Sequence, residues 1–200
     1  MKFLIQDGFI EGVKIITPQI FKDDRGSFME VFNKTYFEEA GIPANFVQMN
    51  QSSSAKNVIR GLHFQWEPPM GKLMRVTRGH AYLVAIDIRK GSPTYGKYHS
   101  GYFSSAGGEL FWAPAGFARG ICSLEDDTVV QYLITGEYNP VNESEIKWDD
   151  PDLNIQWPIK KENAIVSLKD SSAKSFKDWT ASKDSYKLGY YYDFYDNVGS

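Results

Sequence analysis

The sequence has very little of what several large classes of protein need. A single cysteine, Cys122, excludes an internal disulfide and a cysteine-based metal cluster. The 22 Lys and Arg residues are outnumbered by 25 Asp and Glu residues, and a net charge of -3 leaves no basic surface for nucleic acid. No apolar run has the length of a membrane span, and the N-terminal run is too short for a signal peptide. We therefore expect a cytoplasmic protein that binds neither nucleic acid nor membrane.

The pattern of short runs along the chain predicts a mainly β protein. Two hundred residues are enough for one domain with a sizeable core. From residue 46 onward, strand-like runs follow one another at regular intervals, separated by Gly, Pro, Asn and Asp. This spacing is typical of a jelly-roll β-sandwich or barrel, here with a few short helices near residues 35–40 and 167–179. We predict one domain over residues 1–180 and an aromatic C-terminal tail over residues 181–200.

The run 58–65, with sequence VIRGLHFQ, contains the strongest candidate for chemistry. In a regular strand His63 shares a face with Ile59, whereas Arg60 points to the other face. A histidine among apolar residues can act as a base near neutral pH, although it can also be an ordinary hydrogen-bonded core residue. Because Arg60 and Lys72 lie close in sequence, an anionic ligand such as a phosphate is favoured.

A metal site is not expected in this barrel. Metal-binding jelly rolls of the cupin type use a His-x-His pair and a further His after a Pro-x-Gly turn, because imidazole is a good metal ligand. Here the pair reads His63-Phe64-Gln65, and Arg119 follows the turn at residues 114–116. Arg has no lone pair to give. We therefore predict a protein without metal or other cofactor.

A series of motifs between residues 12 and 170 identifies a family. They include Phe21-x-Asp23-x-Arg25-Gly26, Gln48-x-Asn50, Arg60-Gly61-Leu62-His63, Lys72-Leu73, Pro114-x-Gly116-Phe117, Tyr138-x-Pro140-x-x-Glu143 and Ser167-x-Lys169-Asp170. In this order and spacing the chain resembles the dTDP-4-dehydrorhamnose 3,5-epimerase family. The resemblance implies a metal-free cupin-type jelly roll, a homodimer, that epimerises a nucleotide-linked 4-keto-6-deoxyhexose at C3, C5 or both in deoxysugar or O-antigen-type biosynthesis.

The resemblance also implies the catalytic roles. His63 would be the base, paired with Asp170, and Tyr132 would be the acid on the opposite face of the sugar. Lys72 would stabilise the enolate, since charge developing on the ketone oxygen needs a fixed cation. Two of these residues have ordinary alternatives: Tyr132 as a core tyrosine and Asp170 as a helix cap.

The remaining expected roles concern substrate binding. By the resemblance Arg25 and Arg60 would meet the pyrophosphate, and Tyr138 would stack on the pyrimidine. The nucleotide would be contacted by Glu30, Gln48, Asn50, Glu143 and Lys169. In a homodimer, Phe28 and Glu30 would complete the partner's site. The alternatives are a solvated Arg25 and a Tyr138 that serves strand packing.

Two departures from the family bear on specificity. Arg119 stands where the family usually has His, and Leu83 stands where it usually has Asp. We expect Arg119 to reach a phosphate from the barrel mouth with two parallel hydrogen bonds, the alternative being a solvated charge at the rim. The altered pocket suits a different sugar or nucleotide, or inversion at C3 only. Two rival functions remain open: a non-catalytic nucleotide-sugar-binding cupin and a 3,4-ketoisomerase.

Overall fold

The computed structural model describes residues 3–190, which form mainly strands. In chain order the strands are β1 Phe3–Asp7, β2 Lys14–Pro18, β3 Ile20–Asp23, β4 Gly26–Met29, β5 Gln48–Ser54, β6 Val58–Gln65, β7 Lys72–Arg78, β8 His80–Asp87, β9 Tyr98–Ser104, β10 Leu110–Ala113, β11 Phe117–Ser123, β12 Thr128–Ile134, β13 Glu143–Glu145 and β14 Ile165–Val166. The predicted mainly β fold is confirmed.

The helices are few and short. They are α1 Lys34–Glu39, α2 Leu168–Ser171 and α3 Phe176–Ala181, with 3₁₀ turns at Lys161–Asn163 and Lys183–Lys187. Helix α1 begins after Asn33, whose Oδ1 accepts a hydrogen bond from the backbone N–H of Tyr36 at 3.3 Å. The helix expected near residues 167–179 is two helices, α2 and α3. None of the helices within residues 3–190 is long and apolar enough to cross a membrane.

Two sheets pack face to face as a jelly-roll sandwich. The first sheet has the strand order β1-β2-β10-β7-β12-β5, and the second has the order β13-β6-β11-β8-β9, with β14 pairing to β6. All pairs except β14 with β6 are antiparallel. Strands β3 and β4 form a separate hairpin.

Apolar clusters lie between the two sheets and against the outer face of each. Met74, Phe117 and their neighbours from the two sheets fill the space between them. Phe37 of α1 and Trp112 cover the outer face of the first sheet, and Trp179 of α3 covers that of the second. Because this interior cluster leaves room beside β5, β6 and β12, a polar site can lie at that end of the sandwich.

Strand β6 does not alternate strictly between its two faces. Arg119 pairs with His63, but Ile121 pairs with Arg60, so β6 has one extra residue in a β-bulge. Gly61 has a φ of +122°, and a Cβ atom there would lie 2.5 Å from the carbonyl oxygen of Arg119. The bulge turns Arg60 toward the same cavity as His63. The expectation that these two side chains point to opposite faces was wrong.

The C-terminal boundary at residue 180 stays a prediction. Ser185 and Leu188, beyond that boundary, are fully buried. The hydroxyl of Tyr190 donates to Oε2 of Glu11 at 2.8 Å. Residues 191–200, which hold most of the aromatic run, lie outside the described residues.

Candidate active site

Two adjoining cavities lie between the sheets at the β5–β6–β12 end. The outer cavity has a volume of about 300 Å³ and the deeper one about 130 Å³. Both are lined by four of the predicted residues, Arg60 and His63 from the second sheet and Lys72 and Tyr132 from the first. The fold therefore places the predicted base and acid on opposite walls of one space.

His63 and Asp170 form a close pair, although they lie far apart in the chain. Nε2 of His63 donates to Oδ1 of Asp170 at 2.6 Å, and the carboxylate is almost fully buried. Ser167 caps α2 by accepting from the backbone N–H of Asp170 at 3.1 Å, which fixes the carboxylate against β6. Because a carboxylate only accepts, Nε2 carries the proton and Nδ1 is left with a lone pair.

The carboxylate of Asp170 is held in its charged form. Burial alone would raise its pKa, but the hydrogen bonds from His63, from the backbone N–H of Gly61 and from Ser167 lower the pKa overall. A charged Asp170 stabilises a proton gained by the imidazole. The arrangement suits a histidine that takes a proton from a substrate.

Lys72 and Tyr132 face this pair from the first sheet. Nζ of Lys72 lies 5.2 Å from the ring centroid of Tyr132. Burial raises the pKa of Tyr132. The charge of Arg60 lowers this pKa by less, and the charge of Glu143 raises it, so the phenol stays protonated at neutral pH. A protonated phenol opposite a histidine can donate a proton to one face of a substrate carbon after the histidine has removed a proton from the other face.

Polar side chains from β5 and β6 meet beside the cavities. Nε of Arg60 donates to Oγ of Ser54 at 3.0 Å, which ties β6 to β5. Asn50 is the cross-strand partner of Tyr132 and lines the outer cavity. Gln48 does not line it, but its Nε2 donates to Oδ1 of Asn50 at 2.8 Å.

The mouth of the outer cavity is lined by Tyr138, Glu143 and Lys169. The hydroxyl of Tyr138 donates to Oε1 of Glu143 at 3.0 Å, and Nζ of Lys169 donates to the same oxygen. The Tyr138 ring is about half exposed. An exposed ring held at its hydroxyl end leaves its face open for stacking.

Arg119 lies in the deeper cavity and not at the rim. It is 3% exposed, so the solvated-charge alternative is wrong. Nη2 donates to the carbonyl of Met70 at 2.7 Å, and Nη1 donates to the carbonyl of Phe117. Leu83 is fully buried in the apolar cluster between the sheets, opposite Ile121 on the neighbouring strand. Leu83 lines neither cavity, so it belongs to the apolar interior next to the site.

Besides Gln48, three predicted substrate residues on or next to the β3–β4 hairpin do not line these cavities. Arg25 lies in the turn between β3 and β4, is exposed, and pairs with Asp23 at 2.6 Å. Phe28 is 69% exposed on the same hairpin. Glu30 follows β4 and accepts from Nδ2 of Asn33 at 3.1 Å. One chain does not bring these three side chains to His63.

Sequence reasoning missed the roles of two residues. Ser52 lines the deeper cavity, and its place two residues after Asn50 on β5 is the period-two signal that could have identified it. Gln65 lines the outer cavity, and its Nε2 donates to the carbonyls of Pro68 and Glu137 at 2.8 and 2.9 Å, which holds these two segments together. Within residues 3–190 no three His, Cys, Asp or Glu side chains come together as a metal site requires.

This fold and this acid–base site define an isomerase of the racemase and epimerase class built on a cupin-type jelly roll. The comparison with known families is specific: the model of the dTDP-4-dehydrorhamnose 3,5-epimerase family matches residues 8–178. The chain belongs to this family, which confirms the resemblance noted in the sequence.

Individual relatives agree with this assignment. The chain is 44% identical over 170 residues to a dTDP-4-dehydrorhamnose 3,5-epimerase of Methanothermobacter thermautotrophicus, covering 84% of this chain and 92% of the relative. A Legionella pneumophila dTDP-6-deoxy-D-glucose-3,5-epimerase solved with dTDP-4-keto-L-rhamnose superposes with a TM-score of 0.87 at 39% identity, covering 95% and 99% of the two chains. A 3′-monoepimerase of Streptomyces bikiniensis solved with dTDP-quinovose gives 0.81 at 31% identity, covering 86% and 87%.

Proposed function

We propose that the protein epimerises a dTDP-linked 4-keto-6-deoxyhexose in deoxysugar biosynthesis. The observation that carries the proposal is that the His63–Asp170 pair and Tyr132 face each other from opposite sheets across a space that also holds Lys72. A binding protein has no use for a base and an acid on opposite walls. Relatives that act on dTDP-linked sugars support the choice of nucleotide.

The proposed chemistry is a proton removal followed by a proton return. Nδ1 of His63 takes the proton from the carbon next to the ketone, and the electrons of the broken C–H bond form the enolate. Lys72 stabilises the oxyanion, for which a fixed donor is worth several kcal/mol. The phenol of Tyr132 then gives its proton to the opposite face of that carbon, which inverts it. The resting state returns when the Tyr132 phenolate takes a proton from solvent and the His63 imidazolium releases the substrate proton to solvent.

Nucleotide binding is assigned to the mouth of the outer cavity. Arg60 is the cation placed to meet a phosphate, with the planar fork that suits it. The half-exposed ring of Tyr138 offers a stacking face to the base, beside Glu143 and Lys169. Asn50 and Gln48 extend this polar wall along β5.

We further propose that the protein is a homodimer in which the β3–β4 hairpin completes the partner's site. The exposure of Phe28 and Arg25, away from their own chain's cavity, supports this, as does Glu30 directly after the hairpin. Equal mixing of Arg25→Ala and His63→Ala dimers is the test, since a mixed dimer would regain one intact site. Restored activity of roughly a quarter of the parent rate is expected from random mixing, and no recovery contradicts the arrangement.

We also expect a cytoplasmic enzyme without nucleic-acid or membrane partners.

Inversion at C3 only is the second candidate. It is favoured by the two departures from the family, Arg119 in the wall of the deeper cavity and Leu83 in the adjoining apolar cluster, and by the similarity to a 3′-monoepimerase. Incubating dTDP-, CDP- and GDP-linked 4-keto-6-deoxyhexoses in heavy water distinguishes these possibilities. We expect deuterium from solvent at C3 and C5 of the dTDP sugar. Label at C3 alone supports the second candidate, and no label in any sugar contradicts an epimerase.

A further inference from the structure

The deeper cavity is surrounded by an unusual concentration of positive charge. Arg60, Lys72 and Arg119 all line a space of about 130 Å³ together with His63 and Tyr132. Among the described residues that line it, none is a carboxylate. Glu143 and Asp170 line only the outer cavity. A small space with three cations and no carboxylate is suited to an oxygen that becomes negative during a reaction.

Arg119 holds its place in this wall by bonding to the backbone. Its guanidinium donates from one terminal nitrogen to the carbonyl of Met70, between β6 and β7, and from the other to the carbonyl of Phe117 on β11. Both terminal nitrogens are thus engaged on backbone carbonyls, and the side chain is almost fully buried. The geometry does not favour the two-pronged phosphate contact expected from the sequence. The charge of the guanidinium nevertheless remains in the cavity.

The register of the sheet fixes where that charge acts. Arg119 is the cross-strand neighbour of His63 in the second sheet, and it faces Lys72 across the cavity. Lys72 begins β7 in the first sheet, between β10 and β12. Arg119 therefore lies beside His63 in the second sheet and opposite Lys72 of the first sheet.

We propose that Arg119 is a positioning residue that acts through Lys72: it faces that lysine across the deeper cavity and holds a permanent positive charge there, without touching the nucleotide. This inference rests on the proposed function. It replaces a role in phosphate binding by a role in the chemical step.

The charged and titratable groups around Lys72 come from five elements. They are Arg119 of β11, Arg60 and His63 of β6, Tyr132 of β12, Glu143 of β13, and Lys169 and Asp170 of α2. Burial lowers the pKa of Lys72 to about 7, with the charge of Arg119 as the next largest cause, Glu143 opposing it and Lys169 adding to it. The Lys72 ammonium is therefore lost as the pH rises through neutrality, and an enolate that depends on it loses support in the same range.

The first test measures Lys72 directly and needs no substrate. In full-length protein labelled with ¹³C-lysine, the Lys72 signal is assigned by its absence in Lys72→Met and followed against pH. We expect Lys72 to titrate at least about one pH unit higher in Arg119→Met than in the parent, because removing a nearby cation from a partly buried site changes a pKa by about that much. Arg119→Lys, which keeps the charge, should stay within a few tenths of a unit. Identical titrations of the parent and Arg119→Met would overturn the inference.

The second test follows deuterium uptake into the dTDP-linked 4-keto sugar against pH. In Arg119→Met the alkaline limb of the pH–rate profile should move to higher pH together with the Lys72 titration. In the same variant kcat should fall by about tenfold, and KM should change less than about threefold. A tenfold rise in KM with an unmoved limb would overturn the inference and return Arg119 to phosphate binding. If Arg119→Met does not fold, Arg119→Gln replaces it. A parent enzyme that labels no sugar would overturn the proposed function, while the Lys72 titration still decides the role of Arg119.

Discussion

Replacing Asp170 by Asn should remove most of the activity and leave the fold intact. Asn has nearly the same volume, so the packing around this almost fully buried side chain is kept. Its amide can donate to Nε2 of His63, which places the imidazole proton on Nδ1, the nitrogen that should take the substrate proton. It also removes the negative charge 2.6 Å from the imidazole that stabilises its protonated form.

The size of the loss follows from comparable pairs. Asn in place of a histidine-orienting Asp costs about 10⁴ in kcat in the serine-protease triad, and a positioned acid–base group contributes roughly 10²- to 10⁴-fold. We expect a loss in this range, or roughly 3 to 5 kcal/mol of transition-state stabilisation.

The assay is deuterium uptake from heavy water into the dTDP-linked 4-keto sugar, with dTDP binding and thermal unfolding as controls. Binding should change less than about threefold, because the side chain of Asp170 bonds to His63, whereas Tyr138 is held by Glu143. The pKa of Asp170 is held below its ordinary value, so its support for the fold is present above about pH 4 and is lost as the pH falls through the lowered pKa. Uptake by Asp170→Asn within tenfold of the parent would contradict the proposed catalytic role of the His63–Asp170 pair.

Three further predictions concern other parts of the molecule. Tyr132→Phe should keep measurable deuterium uptake but lose inversion by at least about 10²-fold, as seen by comparing label with epimer ratio; equal losses of both would contradict its role as the acid. Dialysis against a strong chelator should leave the rate unchanged, and a loss restored by a divalent ion would show a metal-dependent reaction. Trp179→Ala should lower the free energy of unfolding by about 3 to 5 kcal/mol, since the ring is fully buried and packs 4.5 Å from Phe64 by centroid distance. In denaturant titrations the exposed Phe9→Ala should change it by less than about 1 kcal/mol, and a similar small change for Trp179→Ala would contradict this packing.

Much of the fold follows from local sequence pattern. Short alternating runs with turn residues between them predict the strands, and the continuous apolar run of β8 fits a strand buried on both faces. The bulge in β6 could not be predicted, because it depends on the close approach of the Arg119 carbonyl, about sixty residues later in the chain, which leaves no room for a Cβ at Gly61. Local sequence pattern carries information about residues that are neighbours in the chain, but not about residues that meet across a sheet.

The site divides in the same way. His63 stands out by its residue type and neighbours, but its partner Asp170 lies 107 residues later and was reached only through the family resemblance. Arg119 was noticed as a departure, yet its burial and its bonds to Met70 and Phe117 depend on how the β6–β7 connection packs against β11. Residue type indicates what a side chain can do, and tertiary packing decides which of those roles remains available.

We infer that the space between the two sheets is an epimerase site in which His63 is the base. The most direct measurement compares the parent and His63→Ala for deuterium uptake next to the ketone, with dTDP affinity measured on the same samples. We expect His63→Ala to lose uptake by roughly 10²- to 10⁴-fold while dTDP affinity stays within about threefold, because Tyr138 and Arg60, the side chains proposed to bind the nucleotide, are untouched. Uptake at the parent rate in His63→Ala would contradict the claim.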